Sequence, residues 1–120
     1  MKKILVLLTI TAIVWSCGNN ENKTVQAADP TNHPDYQKGF ELVANSDCYT
    51  CHKVSDKVVG PAYIEVAKRY ADQAGAVDTL AKSIIYGSIG KWGQMQMTPH
   101  ANLSEEEARA MAKYILTLNQ

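Results

Sequence analysis

The spacing of apolar and polar positions predicts four helices, joined by loops, in the part of the chain that follows residue 32. Apolar residues recur there at intervals of three and four, which is the period of an amphipathic helix. The alternation typical of strands is missing throughout. The predicted fold is therefore all-α, with helices from about Pro34 to Asn45, Pro61 to Ala71, Val77 to Tyr86 and Ser104 to Leu118.

Residues at the predicted helix ends support these boundaries. Pro34 suits a first helical turn because its missing N–H would have no helical partner there. Gly87 is a natural end for the third helix. The fourth helix opens on Ser104, followed three residues later by Glu107, which is the pattern of a capping box. The fourth helix is thus the best marked of the set.

Gly39 lies in the middle of the first predicted helix, where glycine costs about 1 kcal/mol relative to alanine. The simplest explanation is the close approach of another helix, with Phe40 packing on Tyr114 of the last helix. A tolerated surface glycine is the alternative. The first explanation predicts that the first and last helices cross.

The first sixteen residues have the pattern of an export signal. Lys2 and Lys3 precede a twelve-residue apolar stretch over residues 4–15. This stretch is too short for an ordinary transmembrane helix and matches the apolar core of a signal peptide. Residues 1–16 are therefore predicted to be a signal peptide, and the protein is predicted to be exported.

Cys17 follows this stretch directly, and residues 14–17 resemble a bacterial lipobox, although Trp15 departs from the usual small residue. Cleavage before Cys17 would leave that cysteine as an acylated N-terminus. The alternative is a plain signal peptide, cleaved near Ser16, with a spare thiol. Because an unpaired exposed thiol is a liability in an oxidising compartment, lipidation is the favoured interpretation. Several acyl chains would give a stable membrane anchor.

Residues 17–32 are predicted to be a flexible tether between this anchor and the domain of residues 33–120. Large apolar side chains are almost absent from the tether, so it cannot bury a core. The fifteen residues after Cys17 average roughly 20 Å from end to end and reach about 50 Å when extended. The domain is small enough that a core of side chains alone would be marginal.

Charge excludes one class of partner. Without Lys2 and Lys3, ten of the twelve basic residues remain against twelve acidic residues, so the chain from Cys17 onward carries a net charge of −2. It contains no basic stripe. Nucleic acid is therefore not an expected partner.

The run Cys48-Tyr49-Thr50-Cys51-His52 is a C-x-x-C-H motif, the pattern of covalent c-type haem attachment. Two thiols at this spacing can each form a thioether with a vinyl group on one porphyrin edge. His52 then lies beside the ring face, where its imidazole can bind the iron. One covalent haem would also add the apolar surface that so small a core needs. Such attachment takes place outside the cytoplasm, in agreement with the predicted export.

Three other interpretations of the motif are weaker. Zinc would need a fourth ligand, and none of the candidates has a second paired spacing; they are Cys17, His33 and His100. A thioredoxin-like redox pair would follow a strand, whereas a helix is predicted before Cys48. A structural disulfide between Cys48 and Cys51 would leave His52 unexplained.

The second iron ligand must come from a loop that reaches the other face of the haem. Met111 belongs to the apolar stripe of the last helix, where a core role is expected, and His33 lies at the domain edge. The loop between the third and fourth helices contains Met95, Met97 and His100. A thioether ligand would raise the reduction potential relative to a second imidazole. These loop residues all remain candidates.

The combined motifs resemble those of a small bacterial class I cytochrome c over residues 33–120. They are the C-x-x-C-H run, Val59-Gly60-Pro61-Ala62-Tyr63, Gly90-Lys91-Trp92-Gly93 and Met97-Thr98-Pro99. The resemblance is nearest to periplasmic carriers that feed electrons to nitrite reductases and terminal oxidases. It implies a class I cytochrome c fold of about four helices around one covalent haem, with the first and last helices crossing.

The resemblance also implies roles for particular residues. It places the second axial ligand at Met97 and suggests that the Pro61 carbonyl accepts the other N–H of His52. Trp92 can donate its indole N–H to a haem propionate, with core packing as the alternative. Tyr63 would help to cover the haem. The predicted haem-binding set is Cys48, Cys51, His52, Pro61, Tyr63, Trp92 and Met97, of which His52 and Met97 bind the metal.

Two positions depart from the family pattern. Relatives often have an arginine that faces a propionate where this chain has Ser83, with Lys82 beside it. His100 stands where relatives often have an asparagine near the ligand methionine. The first departure affects neutralisation of the propionate. The second could shift the potential or make it depend on pH near 6 to 7.

The function that these observations predict is one-electron transfer rather than catalysis. A His/Met iron has no open position for a substrate, so we expect a carrier and not an enzyme. Expected partners are redox proteins, such as a dehydrogenase as donor and a reductase or terminal oxidase as acceptor. We expect a monomer, lipid-anchored in the bacterial periplasm or cell envelope. The alternatives are a haem subunit docked permanently to a dehydrogenase or oxidase complex, and a peroxidase or gas-binding protein with a labile sixth ligand.

Overall fold

The computed structural model describes residues 30–119, which form four α-helices joined by loops. The helices are α1 (Pro34–Ala44), α2 (Tyr63–Tyr70), α3 (Ala76–Tyr86) and α4 (Glu105–Thr117), with short 3-10 turns at Pro30–Asn32 and Asp47–Thr50. Residues 30–119 contain no strand, although an isolated antiparallel bridge joins Ser88 to Met97. The prediction of an all-α fold is confirmed.

The predictions for the N-terminal region fall almost entirely outside the described residues. The signal peptide (residues 1–16), Cys17 and most of the tether precede Pro30. The last three tether residues form the first 3-10 turn. Within residues 30–119, no helix has the length and apolar character needed to cross a membrane.

The start of α2 and an additional short turn differ from the sequence prediction. α2 begins at Tyr63 rather than Pro61, because Pro61 turns its carbonyl toward His52 and Ala62 stays extended as the N-cap. The 3-10 turn at Asp47–Thr50 was not predicted. Four residues are too few to show a helical period, so apolar spacing carries no signal for such a turn.

The first and last helices cross at Gly39. A Cβ atom at this position would collide with the Ala110 carbonyl oxygen and with the Tyr114 side chain. The Phe40 ring meets the Tyr114 ring edge-on, with centroids 5.8 Å apart. The close approach predicted from the helical glycine is therefore confirmed.

α4 is the central element of the core, because it packs against α1, α2 and α3. Its N-terminus has the predicted capping box. The Ser104 hydroxyl accepts the Glu107 N–H at 3.2 Å, and the Glu107 carboxylate accepts the Ser104 N–H at 2.8 Å. The Glu107 carboxylate also accepts a hydrogen bond from the Ser104 hydroxyl at 2.7 Å, and this bond, followed by the one from the Ser104 N–H, lowers the pKa of Glu107. The buried face of the helix consists of Ala108, Met111, Ala112, Tyr114 and Ile115.

Gly39→Ala should lower the free energy of unfolding by about 1–3 kcal/mol, because overpacking at the crossing outweighs the better helix propensity of alanine. Denaturant unfolding of the haem-loaded protein measures the change. Glu41→Ala, on the exposed side of the same helix, is the matched control and should stay within about 0.5 kcal/mol of the parent. A stabilised Gly39→Ala protein would contradict the tight crossing.

Candidate haem site

One cavity lies between the helices and the two long loops, and it encloses about 1250 Å³ of space, part of it open to solvent. Its lining contains every predicted haem-binding residue of the domain, although these residues span fifty positions of sequence from first to last. They are Cys48, Cys51, His52, Pro61, Tyr63, Trp92 and Met97.

The C-x-x-C-H run forms one wall of this cavity. The motif begins in the 3-10 turn at Asp47–Thr50. The backbone N–H groups of Cys51 and His52 both donate to the Cys48 carbonyl, at 3.2 and 3.0 Å. Cys48 is half-buried and Cys51 exposed, and the two form no disulfide. Burial, followed by the nearby carboxylate of Asp47, raises the pKa of the Cys48 thiol.

The His52 imidazole is held in a single tautomer. Its Nδ1 lies 2.8 Å from the Pro61 carbonyl oxygen. Because a carbonyl can only accept a hydrogen bond, Nδ1 carries the proton and donates it. In the neutral ring, Nε2 then keeps its lone pair and can bind a metal.

Two neighbours fix the orientation of the His52 ring. Gly60 lies so close that a Cβ atom there would collide with the imidazole. The second neighbour is Tyr63, whose ring is stacked on the His52 ring, with centroids 5.3 Å apart and an angle of 13° between the ring planes. Burial raises the pKa of Tyr63, so its hydroxyl stays neutral. The contact of Gly60 was missed at the sequence level, although the Gly-Pro pair that marks it was noted.

Met97 lies on the loop between α3 and α4 and is held by its backbone. Its N–H donates to the Ser88 carbonyl at 2.8 Å, and its carbonyl accepts the Ser88 N–H at 3.4 Å. Gly87, with φ of 73°, lets the loop approach closely, because a Cβ atom there would crowd the Met97 carbonyl. Met97 is half-buried against the core, whereas Met95 is 65% exposed.

His100 joins two segments that are far apart in sequence. Its Nε2 lies 3.0 Å from the Asp47 carboxylate, just before the cysteine motif, and its backbone N–H donates to the Ile84 carbonyl at 3.0 Å. Its Nδ1 is buried and has no hydrogen-bond partner within residues 30–119. With Nε2 paired to Asp47, only Nδ1 is free to act as a ligand. The sequence carried no signal for this contact.

The lining suits a haem. A porphyrin offers a broad apolar ring, vinyl groups for thioether bonds, an iron and two carboxylates. Opposite these, the cavity presents apolar side chains, two thiols, the free Nε2 of His52, a thioether at Met97 and the ammonium of Lys91. The zinc alternative lacks support, since residues 30–119 contain no group of three or more His, Cys, Asp or Glu side chains placed to hold a metal ion.

Comparisons with known proteins agree with this fit. Residues 36–119 match the sequence model of the cytochrome c family. Cytochrome c-552 of Nitrosomonas europaea is 45% identical over 68% of this chain and 80% of its own length. Cytochrome c-551 of Azotobacter vinelandii is 44% identical over 68% of this chain and 98% of its own.

Solved structures show the same fold. The crystal structure of Nitrosomonas europaea cytochrome c552 superposes with a TM-score of 0.64 at 46% identity, covering 66% of this chain and 98% of its own. A class 1 cytochrome from Sideroxydans lithotrophicus gives a TM-score of 0.60 at 25% identity, covering 70% and 96%. The chain belongs to the cytochrome c family, as one of its small bacterial class I members, and binds one covalent c-type haem.

Gly60→Ala should displace the His52 ring, because the added methyl group would occupy the space of the imidazole. We expect a lower yield of haem-loaded protein and a shifted absorption spectrum in the fraction that folds. Val58→Ala, an exposed position two residues earlier, is the control and should leave both unchanged. A Gly60→Ala protein with the parent's yield and spectrum would contradict the close packing of this loop.

Proposed function

We propose that this protein is a one-electron carrier in which His52 and Met97 are the two axial ligands of the haem iron. The bound haem supplies an iron that takes up and releases one electron. The observation that carries the proposal is that both side chains line one cavity, with the His52 ring held by the Pro61 carbonyl and the backbone of Met97 held by Ser88.

Two protein ligands argue for a carrier rather than an enzyme. With His52 on one side and Met97 on the other, no coordination position is left for a substrate. Thioethers at Cys48 and Cys51 would retain the cofactor through many cycles. Relatives that are 44–45% identical to this chain carry the names cytochrome c-551 and c-552.

The surface near the two cysteines is the proposed site of electron transfer. Cys51 is exposed, and the apolar side chains of Val58 and Val59 are about half-exposed on the loop that follows. Contacts with partners at such a surface would be small and transient. The partners would be redox proteins, such as a dehydrogenase as donor and a reductase or terminal oxidase as acceptor in a respiratory chain.

The proposed location is the bacterial cell envelope. Residues 1–16 would direct export to the periplasm, Cys17 would carry the acyl chains, and residues 17–32 would tether the domain of residues 33–120 to the membrane. The tether would let a monomeric domain reach donor and acceptor in turn, over roughly 20 to 50 Å.

Met97→Ala should abolish the low-spin spectrum of the methionine-ligated iron and lower the reduction potential by on the order of 100 mV or more, because a thioether ligand raises that potential. Met95→Ala is the matched control and should change little, since Met95 is largely exposed. Optical spectroscopy and potentiometric titration measure both effects.

The opposite result for these two variants would identify Met95 as the ligand. If neither changes the spectrum, His100 becomes the candidate, and His100→Ala should then open the site. A high-spin parent protein would instead favour peroxide or gas binding.

Cys17→Ala should convert a membrane-bound protein into a soluble one with an unchanged haem spectrum, because the acyl anchor is lost while the domain is intact. Fractionation of cells expressing each form measures the change. Retention of the Cys17→Ala protein in the membrane would show that permanent docking to a complex, not acylation, holds the protein there.

A further inference from the structure

The cavity lining contains very little permanent positive charge. Lys91 is the only lysine or arginine among the lining residues that the structure describes, and the other charged or titratable nitrogen and carboxylate groups there belong to Asp47, His52 and His100. A haem brings two carboxylates into this cavity. A carboxylate beside apolar walls needs a cation or hydrogen-bond donors, because burial otherwise penalises its charge.

The Lys91 ammonium is held at a defined place on the cavity wall. Its Nζ donates to the Ser83 hydroxyl at 2.9 Å, and Ser83 is buried in α3 with 9% exposure. The Ser83 hydroxyl uses its own proton in a 3.0 Å hydrogen bond to the Thr79 carbonyl. Its oxygen can therefore only accept from Lys91. An ammonium has three N–H donors, so two remain for another acceptor.

The backbone that carries Lys91 is fixed by a residue of α2. Arg69 donates from Nη1 to the Lys91 carbonyl at 2.7 Å. The same guanidinium lies 4.5 Å from the centroid of the Trp92 ring, a cation–π contact. The positive charge of Arg69 is thus used to hold the loop, which leaves Lys91 as the cation available to a ligand in the cavity.

We propose that Lys91, positioned by Ser83, binds a carboxylate of the haem. Ser83 is too short and uncharged to neutralise a carboxylate by itself, and Lys91 supplies the missing charge from a different part of the chain. This inference rests on the bound haem of the family and not on which side chain is the sixth ligand of the iron.

A cation at this place affects the redox equilibrium. Reduction removes one positive charge from the iron site, so a nearby ammonium favours the reduced state. Removing the charge of Lys91 should therefore lower the reduction potential.

The test compares the reduction potentials of the haem-loaded Lys91→Gln and Lys82→Gln proteins at low and high salt. Both variants remove one positive charge from an exposed residue, but Lys91 lines the cavity and donates to buried Ser83, whereas Lys82 does not line the cavity. Lys91→Gln should shift the equilibrium toward the oxidised state several-fold and keep most of this shift at high salt. The smaller effect of Lys82→Gln should decay, because salt screens a charge outside the cavity more completely than one held on the cavity wall.

Equal shifts for Lys91→Gln and Lys82→Gln, with equal salt dependence, would overturn the proposal. If that occurred in proteins with normal covalent haem and an unchanged axial-ligand spectrum, the electron-carrier function would still stand.

If too little Lys91→Gln protein accumulates, the variants Ser83→Ala and Lys91→Arg test the proposal instead. Ser83→Ala should lower the reduction potential although the net charge of the protein is unchanged. Lys91→Arg should keep the reduction potential of the parent protein. An unchanged potential in Ser83→Ala would contradict the positioning role of Ser83.

Discussion

The packing around Tyr114 is the constraint on which the rest of the structure depends. This side chain is 1% exposed, and the missing side chain of Gly39 lets α1 lie directly against it. The Tyr114 ring meets the Tyr63 ring edge-on at 6.5 Å, and Tyr63 stacks on His52. The crossing of the first and last helices therefore also positions the imidazole that faces the cavity.

Both loops that border the cavity use a glycine for close approach of their backbone. Gly60 brings the Pro61 carbonyl within hydrogen-bonding distance of His52, and Gly87 lets the segment around Met97 pair with Ser88. The Pro61 carbonyl orients the His52 ring, and the Ser88 backbone fixes the backbone of Met97. Such contacts limit the rearrangement of the site on a change of iron charge, a property that suits rapid electron transfer.

The sequence predicted the four helices because each has enough turns to show an apolar face, and the capping box at Ser104 marked a helix start within a residue. It did not predict the 3-10 turn at Asp47–Thr50 or the extended Pro61 and Ala62, since the hydrogen bonds that select these conformations depend on neighbouring residues outside any helical period. The crossing at Gly39 was predictable because a helical glycine is costly unless another backbone needs its space.

The chemistry of attachment was determined by the sequence alone, because two thiols and an imidazole within five consecutive residues need no distant partner to define a c-type haem motif. Only the tertiary structure showed the backbone pairing of Met97 with Ser88. It also brought Asp47 to His100 and Lys91 to Ser83. Each of these contacts joins a loop to a residue of another element. Their formation depends on the packing of the helices that carry the loops, which no local pattern of residues encodes.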